Sequence, residues 1–154
     1  MSDKAIAEKL FQELGPLLDP EAIVYDETEP QWAVVVDENT QIAVGYDEED
    51  GQFVFALDLG DVPDQSAERV HELLLRFSYV WRGTGGLYTA LDPEGRAILM
   101  YKHAVQGLDV QTLQALLDGL YTHSQYWAEL IADVGDGDVT EGPENIAPFR
   151  IIRP

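Results

Sequence analysis

The three histidines are the side chains of this sequence best suited to acid–base or nucleophilic chemistry, but they fall on separate stretches. His71, His103 and His123 lie on different elements, and none accompanies a serine in a Gly-x-Ser-x-Gly turn. His71 stands one position off an apolar stripe, which favours an ordinary surface histidine. The chain has no cysteine, so disulfides, thiolate metal sites and cysteine nucleophiles are excluded. The pattern therefore predicts no catalytic triad.

Two glycine-rich stretches match ligand-binding loops only in part. The stretch 83–86 lacks the Lys-Ser/Thr pair of a phosphate-binding loop and precedes a strand, so it predicts a helix end and a sharp turn. The acids from Asp133 to Glu141 offer oxygen ligands for calcium, but their spacing misses the twelve-residue calcium loop. With 29 acids in the chain, chance proximity of carboxylates singles out no acid–base pair. We therefore expect no catalytic residue, no cofactor and no metal.

The charge balance limits the partners of the chain. Its 29 acidic and 9 basic residues give a formal net charge of −20, which disfavours nucleic acid and anionic membranes. No Lys or Arg lies between Lys9 and Arg69, so part of the surface favours cationic partners. An acidic coat that only maintains solubility is an equal alternative. Because we find neither a secretory signal nor an apolar stretch long enough to span a bilayer, we expect a cytoplasmic protein without membrane insertion.

Apolar periodicity predicts a single α+β domain over residues 1–134. Helical spacing predicts helices over 4–15, 66–81 and 110–133, with Ser66 as an N-cap. Runs rich in β-branched and aromatic residues predict strands at 32–36, 41–46, 52–57, 87–91 and 96–101, and 23–25 form a further short extended piece. The predicted fold is an antiparallel sheet with helices packed on it, in the order α-β-β-β-α-β-β-α. Residues 135–154 break every period and predict an acidic, flexible C-terminal tail.

The apolar stripe of the central helix is wider than packing on one sheet requires. This apolar surface has two possible interpretations. Either all of it belongs to the core, or part of it forms an interface for self-association and for a peptide lying along the sheet. Phe77 and Trp81 are the first candidates for a contact between two copies, since aromatic side chains anchor interfaces. We then expect Phe77→Glu to separate a dimer and to leave the fold largely intact.

Several local sequences, in the order in which they occur, resemble those of a known family. They are the helix end Leu73-Leu74-Leu75-Arg76-Phe77, the glycine turn before Leu87, Leu91-Asp92-Pro93-Glu94-Gly95, Ala97-Ile98-Leu99-Met100, Leu108-Asp109 and a helix with Trp127 near its end. Over about Lys4 to Asp133, this ordered set resembles the class I type III secretion chaperones, the Tir chaperone (CesT-like) family.

The resemblance implies a non-catalytic cytoplasmic homodimer. Such a chaperone holds the N-terminal segment of a secreted effector in extended form and keeps it competent for secretion. Carried over by position, the effector-binding residues would be Leu10, Phe11, Leu14, Val34, Val36, Ile42 and Val44. The dimer interface would comprise Leu73, Phe77, Val80, Trp81 and Leu87. The same fold resemblance extends to YbjN-like bacterial regulatory proteins, so a regulatory or signalling adaptor is the alternative. An enzyme comes third, because fold does not determine function.

Overall fold

A computed structural model of the chain describes residues 2–18, 22–28 and 31–135. The elements in these ranges are α1 (Asp3–Leu14), β1 (Ile23–Asp26), β2 (Gln31–Asp37), β3 (Thr40–Asp47), β4 (Gln52–Asp58), α2 (Ala67–Tyr79), β5 (Tyr88–Leu91), β6 (Ala97–Ala104) and α3 (Val110–Gly135). Two short 3-10 helices cover Gly15–Leu17 and Asp64–Ser66. Beyond Gly135, the predicted tail lies outside the described residues.

The strands form one antiparallel sheet in the order β1-β2-β3-β4-β6-β5. The predicted α+β class is therefore confirmed. The short extended piece at 23–25 is a sixth strand, which pairs Ile23 with Val34 and Tyr25 with Trp32 on β2. It forms one edge of the sheet, beside α1.

One face of the sheet carries the core. Phe53, Phe55 and Leu57 alternate along β4 and are fully buried, as the strand period of two requires. Above them, Phe77 of α2 and Trp127 of α3 pack edge to face with their ring centroids 5.1 Å apart. Most of the wide apolar stripe of α2 is thus buried by contacts within the chain.

The two ends of α2 differ in how well the sequence predicts them. At the start, the Ser66 hydroxyl donates to the Pro63 carbonyl (3.3 Å) and makes no cap of the helix, so the predicted side-chain cap is wrong. At the end, the helix stops at Tyr79, two residues earlier than predicted, because Val80 leaves helical geometry. The predicted glycine turn is confirmed: Gly86 has φ 103°, and a Cβ there would lie 3.3 Å from the Tyr101 ring.

Candidate functional site

An open cleft lies between α1 and the first edge of the sheet. Its volume is about 340 Å³, and we call it the edge cleft. It is lined by Glu8, Phe11, Gln12, Ile23, Tyr25 and Trp32. The helical positions fall three and four residues apart and the β1 positions two apart, so each set shares one face. Phe11 stacks on Trp32 at 4.3 Å between centroids, and Tyr25 tilts against Trp32 at 5.4 Å.

The backbone of β1 offers hydrogen-bonding groups beside this cleft. The Val35 N–H donates to the Ala22 carbonyl (2.6 Å), in the register that pairs Ile23 with Val34. Because the bonds of an antiparallel ladder alternate along each strand, the N–H and C=O groups of Ile23 and Tyr25 point away from β2. The β1 edge can therefore accept a further strand.

The opposite edge of the sheet is covered by α2. The Ser78 hydroxyl accepts from the Thr89 N–H (2.9 Å) and lies at donating distance from the Thr89 carbonyl (2.9 Å). The Thr89 hydroxyl donates to the Leu74 carbonyl (2.7 Å). These bonds occupy the outward groups of β5 at its centre, so β1 is the more accessible edge.

The structure places the residues assigned to effector binding at different depths. Phe11 lines the edge cleft, and Val36 is exposed on β2. The side chains of the remaining five are buried in the core: Leu10, Leu14, Val34, Ile42 and Val44. The effector contacts of all seven residues stay a prediction.

An exposed group of apolar side chains lies on and around the end of α2. This apolar patch consists of Leu75, Tyr79, Val80 and Trp81. Leu75 and Tyr79 are 74% and 87% exposed, and they lie four residues apart on the outer face of the helix. Both residues lie outside the buried stripe of α2. Apolar side chains at positions outside that stripe are the sequence signal that could have identified this patch.

The residues assigned to the dimer interface divide between this patch and the core. Val80 and Trp81 are exposed, whereas Leu73, Phe77 and Leu87 are buried within the chain. Their part in a dimer stays a prediction. Phe77→Glu is no test of it, because a glutamate at that buried position acts on the fold itself.

A second, acidic cleft of about 440 Å³ lies beside α3, where the β2–β3 turn meets the end of β4. At its edge, the Tyr121 hydroxyl donates to the Asp37 carboxylate (2.7 Å). This bond, together with the Asn39 N–H (2.8 Å), holds the pKa of Asp37 below its usual value. The contact joins the β2–β3 turn to α3.

Removing this hydroxyl with Tyr121→Phe is expected to raise the pKa of Asp37 and to cause a small loss of stability. A carboxylate with a lowered folded-state pKa contributes stability above its unfolded pKa, and this contribution disappears as pH falls through the folded pKa. The stability difference between wild type and variant should therefore be present at pH 7 and vanish in acid. Urea unfolding across this range measures it, with Tyr88→Phe as the control. An equal difference at every pH would contradict the assignment.

The histidines and acids form no centre in the part of the chain that the structure describes. His71 lies on α2, His103 on β6 and His123 on α3, where burial lowers the pKa of His123. Within residues 2–18, 22–28 and 31–135, no three His or acidic side chains are placed to hold a metal ion together. The part of the calcium-like stretch that begins at residue 136 lies outside these ranges. None of the described helices is both long and apolar enough to cross a membrane.

Several solved structures of protein complexes share this fold. A chain of the ExsC–ExsE complex superimposes with a TM-score of 0.70 at 21% identity, covering 85% of this chain and 96% of that one. A chain of the HopA1–SchA chaperone–effector complex gives 0.65 at 18%, covering 80% and 94%. The complex of the Yersinia pestis type III secretion chaperone SycH with a YscM2 fragment gives 0.60 at 20%, covering 77% and 97%. The fold is thus that of the type III secretion chaperones.

The family model of the Tir chaperone protein (CesT) family matches residues 9–128. The chain belongs to this family, which confirms the resemblance seen in the sequence. A search of the curated proteins found no match.

Proposed function

We propose that this protein is a cytoplasmic, non-catalytic type III secretion chaperone. It binds the N-terminal segment of a secreted effector in extended form and keeps that segment competent for secretion. The observation that carries the proposal is the accessible β1 edge beside an aromatic cleft, in a chain of a chaperone family. The complexes named above support an effector as the partner.

An extended client segment suits this edge in two ways. Its backbone pairs with the outward groups of Ile23 and Tyr25, and each such bond contributes about 0.5–1.5 kcal/mol. Its alternate side chains enter the edge cleft, where burying an apolar side chain contributes about 1.5–3 kcal/mol. A segment paired in this way is held away from its own folding partners, and release requires no chemical step.

The functional unit of this proposal is a homodimer joined through the apolar patch. Two copies that each carry a net charge of −20 repel one another, so the contact must remove apolar surface from water. The patch offers such surface, and the Arg82 guanidinium lies 5.2 Å from the centre of the Trp81 ring within it, whereas Arg76 pairs with Glu72 (2.9 Å). The Arg82 cation lowers the repulsion at the place where the copies meet.

The test of the proposed function is co-purification from the native cytoplasm, with Tyr25→Pro beside the wild type. The wild type should retain one secreted protein through that protein's N-terminal segment. Proline at 25 removes an outward N–H and costs no bond to β2, since edge strands tolerate proline. We expect affinity for the retained segment, measured by calorimetry, to fall by up to about tenfold.

One further variant and two outcomes complete this test. Tyr25→Ala removes the ring and keeps the N–H, so it separates cleft contacts from strand pairing; circular dichroism verifies that both variants fold. Full binding by Tyr25→Pro would rule out pairing at β1. If the wild type instead retained a resident regulatory protein, the chaperone function would be ruled out in favour of the regulatory adaptor.

A further inference from the structure

The edge cleft has an apolar floor and a polar rim. Phe11, Ile23 and Trp32 form the floor, while the Glu8 carboxylate and the Gln12 carboxamide stand on α1 at the rim. Neither rim group has a hydrogen bond or ion pair with another described residue. The cleft therefore presents a carboxylate and an amide to whatever enters it.

The cations nearest to Glu8 in sequence are engaged elsewhere. Lys4 pairs with Glu48 (3.5 Å), and Lys9 pairs with Glu13 (3.7 Å). The chain from residue 10 to residue 68, which includes β1 to β4, holds no Lys or Arg at all. The charge of Glu8 is thus left uncompensated beside the aromatic floor, and the surrounding acids strengthen the local negative potential.

We propose that the edge cleft selects an arginine side chain of the bound segment, an inference that rests on the proposed function. The aliphatic stem of the arginine covers the aromatic floor, and its guanidinium pairs with Glu8 and faces the half-exposed Tyr25 ring. Arginine fits better than lysine, because its planar fork binds a carboxylate through two bonds and stacks on aromatic rings.

A purely apolar side chain fits this cleft less well. It would cover the floor, but it would also remove water from the Glu8 carboxylate and supply no partner in return. An acidic side chain would meet Glu8 with a like charge. The rim of the cleft therefore discriminates between client segments that would pair equally well with the β1 backbone.

The probe for this proposal is a random dodecapeptide library displayed on phage and selected on the full chain. We expect the enriched peptides to share one arginine within an alternating apolar pattern. The best of them is then synthesised with arginine and with citrulline, which has the same shape and no charge. The arginine peptide should bind the wild type about tenfold more tightly, and this advantage should shrink as salt is raised.

Glu8→Gln and Glu13→Gln form the matched pair of variants. Both replace an acid on α1, but Glu13 pairs with Lys9 and does not line the edge cleft. Glu8→Gln should abolish the preference for arginine over citrulline, whereas Glu13→Gln should preserve it. Circular dichroism shows whether each variant retains the fold.

The possible failures are distinguishable. Equal binding of the arginine and citrulline peptides, or enrichment of peptides without a base, would overturn the arginine proposal. If those peptides still lost affinity for Tyr25→Pro, strand pairing at β1 would stand. Enrichment of no peptide would overturn both proposals.

Discussion

Phe77→Glu is expected to abolish cooperative folding of the domain. The Phe77 side chain is 0% exposed and packs edge to face on Trp127, which is also fully buried. Removing a buried phenylalanine ring costs about 3–5 kcal/mol. A carboxyl group in its place must also be desolvated without a partner. The sum is comparable to the whole stability of a small domain, about 5–15 kcal/mol. Circular dichroism and urea unfolding of the purified variant measure the effect.

Two controls show that this effect comes from burial. Phe77→Leu keeps an apolar side chain and should lose only a fraction of the stability. Tyr79→Glu introduces the same charge two residues away, on the exposed side of α2, and should fold as the wild type does. A Phe77→Glu protein with native spectrum and stability would show that the ring is not packed in the core as the structure has it.

The positions of the helices and of five strands could be predicted because the chain repeats apolar residues at clear periods. Val70, Leu73, Leu74 and Phe77 follow the helical period, and all four are buried. The period identifies a face that avoids water, but it does not identify what covers that face. The period therefore leaves open whether the stripe of α2 faces the core or a second copy. The structure buries Leu73 and Phe77 within the chain, and their part in a dimer stays a prediction.

The candidate site was less predictable, because it depends on contacts between distant parts of the sequence. β1 is only four residues long, and its pairing with β2 makes it an edge beside α1. Glu8, Tyr25 and Trp32 come from three elements that no local period connects. Nothing in the spacing of these residues predicts that they line one cleft.

Family membership could be recognised where single motifs could not support it. Each local sequence that carried the resemblance is short, and any of them occurs by chance in unrelated chains. Their order carries more information, because it follows the order of elements along the fold. The family match over residues 9–128 lies within the range that this ordered set covers.

The double variant Leu75→Glu/Tyr79→Glu is expected to convert a dimer of this protein into folded monomers. The two side chains are 74% and 87% exposed and share one face of α2, so the substitutions remove apolar contacts without creating a cavity. They also bring four added charges together across a symmetric interface between two acidic copies. Two central contacts of about 2 kcal/mol each imply a rise in the dimer dissociation constant of about 1000-fold. Sedimentation equilibrium measures this constant.

The matched control for the dimer variant is Glu8→Gln/Glu13→Gln, which alters two residues of α1 away from the apolar patch and should remain dimeric. A wild type that is monomeric at high concentration, or a double variant that stays dimeric, would contradict the proposed interface.

The edge cleft and the apolar patch share no residue. The monomeric variant should therefore still bind a short peptide at β1 with wild-type affinity. It should lose affinity only for an effector segment long enough to reach both copies, because that gain depends on two linked binding sites. Comparing the short peptide with the full effector segment thus separates dimerisation from client binding within one protein.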